Sequence, residues 1–224
     1  MNKCLPLKHL FTTLSKNLIL LSIQRGVDVI AISPNSPDAL NQVFDAARAK
    51  DILVLTVNGD ITGNEEHRDA TILPTDFTKV GADQVEMVGS LIGYEGEIAI
   101  LSATTEAPDQ NFWIEGMNKT LETDSKYSKM TLVATVYGDD QPEKSTTEME
   151  SLLANFPNLK GVIAPTTVGI AAGAQVVQSR GISDTVKVTG LGLPSEMRDF
   201  IKDATLEGLK LWSPYNDGWL AAHF

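Results

Sequence analysis

Polar residues able to hydrogen bond a hydroxyl-rich molecule recur in this chain directly behind short apolar runs. Asn58-Gly59-Asp60 follows the run Ile52 to Val57 and offers an amide and a carboxylate. The same tripeptide can equally be only a turn, since Asn-Gly is a common turn dipeptide. Behind Glu97 to Leu101 comes SATTEAPDQNFW, in which Asp109, Gln110 and Asn111 stand just ahead of Phe112 and Trp113. A helix cap needs one of these polar groups. The surplus beside two aromatics suits a carbohydrate, whose hydroxyls bind carboxylates and amides and whose C–H face lies on a ring; the competing reading is a capped helix with buried aromatics. Pro165-Thr166-Thr167 follows Gly161 to Ala164 and presents hydroxyls and helix-start N–H groups, with plain capping by Thr as the alternative. Trp212, ahead of Ser213 and Pro214, reads on its own as core packing.

Templates for catalysis are missing from the same positions. The three histidines, His9, His67 and His223, have no metal-ligand spacing among themselves or with Cys4, so neither a metal nor a catalytic residue is assigned. No serine sits in a Gly-x-Ser-x-Gly elbow, no phosphate-binding loop is present, and Gly190-x-Gly192 runs into Leu193-Pro194 without a third glycine. Hydrogen-bonding groups without a base and its partner suit binding without chemistry; no enzyme and no cofactor are expected.

Composition narrows the partners. A formal charge of −11 over 224 residues, with no cluster of Lys and Arg, argues against nucleic acid, anionic ligands and anionic membrane surfaces. The single cysteine, Cys4, forms no internal disulfide and leaves the redox compartment open. No apolar run approaches the roughly 18 residues of a membrane span. Residues 1–23 carry basic residues and leucines, but Lys16 and Asn17 interrupt the apolar stretch and no small-x-small cleavage site follows before Arg25, so no clear signal peptide is read.

The elements that must position the polar groups alternate. Strands are expected at Val27–Ile32, Ile52–Val57, Glu97–Leu101, Thr131–Tyr137, Gly161–Ala164, Val186–Leu191 and Leu209–Trp212, most of them nearly continuous in apolar residues, as in strands covered on both faces. Helical periodicity falls over Asp38–Ala49, with Ser36-Pro37 as its cap and first turn, and over Phe77–Ile92. A further helix begins at Pro142 and ends at Asn155, and Gly26, Gly93 and Gly181 mark left-handed helix stops. Strand-helix-strand repetition at this spacing predicts an α/β fold with parallel sheets and right-handed crossovers, with ligands beyond the carboxyl ends of the strands.

Taken together, VDVIAISPNSPDAL, EIAILSATTEAPDQNFW, LVATVYGDDQPEKS, NLKGVIAPTTVGI, VKVTGLGLPSEMRDFIKD and LKLWSP resemble the rhamnose-binding and autoinducer-2-binding branch of bacterial ABC-transporter solute-binding proteins, from about Gly26 onward. The resemblance implies a periplasmic-binding-protein-like type I fold: two Rossmann-like lobes joined by a hinge, closing over a small sugar or sugar-like ligand. It implies a first lobe of residues 1–73 and 210–224, a second lobe of 74–209, a monomer, an extracytoplasmic location and a membrane permease as partner. Carried over by position, the ligand-binding residues are Asn58, Asp109, Gln110, Trp113, Pro165, Thr166, Thr167 and Trp212. The family commonly shows Trp-Asp where this chain has Val57-Asn58, which implies an altered sugar preference.

Members of that branch open with a strand, a helix and a further strand that this sequence does not supply, and they continue beyond the position of Phe224. The resemblance therefore implies an incomplete first lobe and a fragment of a binding protein, with Met1 to about Asn17 arising from a frameshift or a misplaced start. The competing readings are the effector domain of a sugar-responsive repressor, which needs an N-terminal helix-turn-helix, a doubly wound α/β enzyme, and a fragment without function.

Overall fold

The computed structural model describes residues 7–73, 76–211 and 214–223. The chain divides into two compact units: Met1–Thr75 with Glu106–Asp109 and Ser213–Phe224, and Asp76–Thr105 with Gln110–Trp212.

In the first unit, α1 (Leu7–Arg25), β1 (Val29–Ile32), α2 (Asn41–Arg48), β2 (Leu53–Val57) and β3 (Ala70–Ile72) precede the chain's departure, and the last helix of the chain, Pro214–His223, returns to pack on β2 and β3. The sheet is parallel in the order β1-β2-β3, with Val29 opposite Leu53 and Leu55 opposite Ala70. Alternate strand residues Ile30 and Val54 face Ile19 and Ile23 of α1 and Val43, Phe44 and Ala47 of α2, so one core joins both helices to one sheet face. Helix α2 starts later than its periodicity suggests. Ser36 does not cap it, because the Ser36 hydroxyl donates to Asp38 Oδ1 at 3.0 Å and the residue before the helix is Leu40.

The second unit follows the order α3 (Phe77–Ile92), β4 (Gly96–Ser102), α4 (Pro108–Thr123), β5 (Met130–Tyr137), α5 (Pro142–Asn155), β6 (Leu159–Ala164), α6 (Thr167–Arg180), β7 (Lys187–Gly190) and α7 (Pro194–Lys202). Its four parallel strands lie in the order β5-β4-β6-β7. Period-two alternation sorts the strand residues between two cores. Ala99, Leu101, Val162 and Ala164 meet Met149 and Leu152 of α5 and Ile170 and Ala174 of α6. Ile98, Ile100 and Ile163 meet Val80, Val85 and Val88 of α3 and Trp113 and Met117 of α4. A sheet apolar on both faces is what nearly continuous apolar strands require.

Helix α3 coincides with its expected span. Asp76 Oδ1 accepts from the Thr78 N–H at 3.1 Å, and Gly93 closes the other end at φ 73°. Gly26 and Gly181, at φ 67° and 63°, stop α1 and α6 as expected. The strand expected at Leu209–Trp212 is reduced, among the described residues, to a parallel bridge between Leu191 and Lys210. No described helix is long and apolar enough to cross a membrane.

Candidate functional site

In the first unit β2 delivers its chain to Asn58, which turns out of the sheet at φ 64° while its N–H donates to Ile72 O at 2.9 Å. Asparagine tolerates the left-handed conformation better than most side chains. Asn58 is half-buried at the carboxyl end of the strand. Asp60, two residues on, has a different task. Its Oδ1 accepts from Arg68 Nε at 2.7 Å, from the Ile61 N–H at 2.9 Å and from the Thr56 hydroxyl at 3.1 Å, and its Oδ2 accepts from Arg68 Nη2 at 2.5 Å. Burial pushes this carboxyl up, but the Arg68 and Ile61 hydrogen bonds and the Arg68 charge outweigh it and hold the pKa below the ordinary value. Arg68 and Asp60 thus tie the loop after β2 to the start of β3. Asp109 is half-buried in the first turn of α4 and belongs to the stretch grouped with this unit.

In the second unit the carboxyl ends of β4, β5 and β6 are joined by side chains. Gln110, 8% exposed, accepts through Oε1 from the Ser102 hydroxyl at 2.6 Å and from the Ala103 N–H at 2.8 Å, binding the first turn of α4 to the end of β4. Trp113 is 4% exposed, edge-on to Phe77 with ring centroids 5.1 Å apart, and packs in the core shared by α3 and α4. Its ring therefore shapes the helix pair, and Phe112 at 42% exposure is the more open aromatic of the two. Pro165 and Thr166 are buried, and Thr167 opens α6 half-buried. Thr166 donates its hydroxyl hydrogen to Asp140 Oδ1 at 2.5 Å. Trp212 lies outside the described residues.

The rule that ligands bind beyond the carboxyl ends of strands also points to Gly138-Asp139-Asp140, directly behind β5, which is absent from the site residues expected from sequence. Asp139 and Asp140 stand in succession at φ 53° and 52°. The signal for them was Gly-Asp-Asp directly behind a strand, since Asp accepts left-handed turns. Among the described residues, no group of three or more His, Cys, Asp and Glu is placed to hold a metal ion.

Residues 18–224 match the family model described as a periplasmic binding protein domain. A solved ABC-transporter solute-binding protein from Clostridium phytofermentas with bound L-rhamnose is 39% identical, with a TM-score of 0.89 over 95% of this chain and 66% of that one. A solute-binding protein from Burkholderia graminis in complex with D-arabinose is 30% identical, with a TM-score of 0.84 over 93% of this chain and 71% of that one. The ribose import binding protein of Bacillus subtilis is 24% identical over 89% of this chain. The chain spans 62% of the length of that curated relative and 66% of the rhamnose-bound protein.

Proposed function

The chain belongs to the periplasmic binding protein domain family, and from that premise we propose that it is the sugar-binding component of an ABC-type importer, specific for a small neutral sugar of the rhamnose type. The observation that carries this reading is the 39% identity to a protein solved with L-rhamnose, extending over 95% of this chain. Polar groups at the carboxyl ends of β2, β4 and β6 support it. So does the formal charge of −11, which favours a neutral ligand over an anionic one.

Within this proposal Asn58, Asp109, Pro165 and Thr167 touch the sugar. Gln110 and Thr166 act by fixing the turns around it, Trp113 by setting the α3–α4 packing beneath it, and Trp212 completes the set implied by the resemblance. The first lobe is residues 1–73 and 210–224 and the second 74–209, and ligand capture by lobe closure is part of the same proposal. The protein acts outside the cytoplasm as a monomer, hands its sugar to a membrane permease and carries out no reaction.

Thermal melting of the purified chain with L-rhamnose, D-arabinose, D-ribose and autoinducer-2 tests the reading. A ligand at a hundred times its Kd adds about 2.7 kcal/mol to the native state, which raises the midpoint measurably. A shift with one sugar establishes the role and the ligand class. A cooperative melt that none of them moves would overturn the ligand class, and a chain with no cooperative melt would be a fragment that does not fold.

A further inference from the structure

Thr166 occupies the residue before α6 with extended backbone, φ −149° and ψ 140°, the conformation from which threonine usually caps a helix. Its hydroxyl makes no cap. The single hydroxyl hydrogen goes to Asp140 Oδ1 instead, 26 residues earlier in the chain, from a side chain only 6% exposed. A threonine hydroxyl holds one hydrogen and two lone pairs, so with the hydrogen committed to a carboxylate its oxygen can only accept.

Asp140 reaches that position through strained backbone. Two consecutive non-glycine residues in the left-handed region, Asp139 and Asp140, are unfavourable and persist only where their surroundings hold them. Here the Gly138 N–H donates to Ser102 O at 2.8 Å and the Asp139 N–H to Ala103 O at 2.7 Å, while Lys144 Nζ donates to Asp139 Oδ2 at 2.7 Å. Gly138 lets this segment pack closely on α5, since a Cβ there would lie 2.1 Å from Ser145 Oγ. Ser102 and Ala103 are themselves held by Gln110. Hydrogen bonds thus run from Gln110 through the end of β4 to Gly138 and Asp139, and the next residue, Asp140, accepts from Thr166.

We propose that Asp140 is a positioning residue: it holds Thr166, and with it the Pro165-Thr166-Thr167 turn, in the orientation in which this turn meets the sugar. The inference rests on the sugar-binding reading above. It accounts for backbone strain retained at the end of β5 and for a capping threonine that does not cap.

Three variants test it: Asp140→Asn, which keeps an acceptor oxygen; Asp140→Gly, which removes the acceptor and relaxes the backbone; and Thr166→Val, which removes the donor at equal volume. Hydrogen exchange is followed at the Ile170 amide, which donates to Thr166 O at 3.0 Å, relative to core amides of β6. Affinity for L-rhamnose is measured by calorimetry on the same proteins. Asp140→Gly and Thr166→Val should each speed Ile170 exchange and weaken L-rhamnose binding by about tenfold or more, the scale of a hydrogen bond to a charged group. Asp140→Asn, which keeps a weaker neutral acceptor, should show smaller changes in both than Asp140→Gly, and the double variant Asp140→Gly/Thr166→Val should bind no more weakly than either single one. Unchanged affinity in Asp140→Gly, or losses that add in the double variant, would overturn the inference, and so would faster exchange with affinity intact, which makes the contact a loop staple. If the wild-type chain binds no sugar, the reading beneath it has failed, and the inference falls with it; wild-type protein alone shows that outcome.

Discussion

Arg68 grips Asp60 with two hydrogen bonds, Nε to Oδ1 at 2.7 Å and Nη2 to Oδ2 at 2.5 Å, both side chains being less than a fifth exposed. The pair closes the loop between β2 and β3 behind Asn58. Arg68→Ala leaves a half-buried carboxylate without its cation and should lower unfolding stability by about 2–3 kcal/mol at pH 7 in denaturant titrations. Because the folded-state pKa of Asp60 lies below its unfolded value, the stabilisation is present above the ordinary carboxylate range and lost as pH falls through the folded pKa. The difference between wild type and Arg68→Ala should therefore shrink on acidification; a difference independent of pH would refute this account.

Glu86 offers a second pH test. Lys126 Nζ donates to both its oxygens at 2.8 and 2.7 Å, and the hydroxyls of Tyr127 and Tyr94 donate at 2.6 and 2.9 Å. The Lys126 hydrogen bonds, then that of Tyr127, bring the Glu86 carboxyl down to about 2, while burial, then the hydrogen bond to Glu86 and its charge, push the Tyr127 hydroxyl up to about 12. Their contributions are present between the two unfolded pKa values, being lost for Glu86 as pH falls toward about 2 and for Tyr127 as pH rises toward about 12. Carbon NMR titration of Lys126→Ala should find the Glu86 carboxyl shifted back toward the ordinary range. Since the site is open to solvent, high salt should reduce the wild-type shift as well.

Gly190 ends β7 at φ 148°, and a Cβ there would lie 1.9 Å from Ala164 O. The obstacle is backbone of the neighbouring strand β6, which cannot swing aside like a side chain. Gly190→Ala should cost about 3 kcal/mol or more, or prevent folding. A variant melting within two or three degrees of wild type would show that the strands can separate there.

The proposal counts Asn58 among the sugar contacts, at a position where the resemblance implies an aspartate in other members. Asn58→Asp should tighten sugar binding by about tenfold, because hydrogen bonds to an ionised acceptor are roughly twice as strong as neutral ones. Asn58→Gly, which fits φ 64° without strain, should keep the melting point and lose affinity. Calorimetry with the sugar that shifts the melt decides between a binding role and a turn role for this side chain.

Local signals made much of the fold legible in advance. Phe77–Ile92 appears with its expected limits because an apolar stripe, a capping Asp76 and a stop at Gly93 all lie within one segment. Three-residue β3 was not legible, since Ala70–Ile72 becomes a strand only by pairing with Leu55–Val57 of β2. Ser36 misled for the opposite reason: a good capping residue in a good position found a nearer partner in Asp38. For Trp113, sequence left the choice between ligand face and core open, and burial against Phe77 depends on how α3 and α4 cross.

Sequence alone determined the α/β class, the parallel character of the sheets and the places where polar groups gather, because hydrophobic periodicity and helix stops act over a few neighbouring residues. Tertiary structure alone decided which of those groups hold their neighbours, and through which partner. Gln110 receives the end of β4, Asp60 receives Arg68, and Thr166 gives its hydrogen to Asp140, 26 residues away. A hydrogen bond takes its direction from two atoms at once, and the second atom is placed by strand order and helix packing that no local pattern encodes.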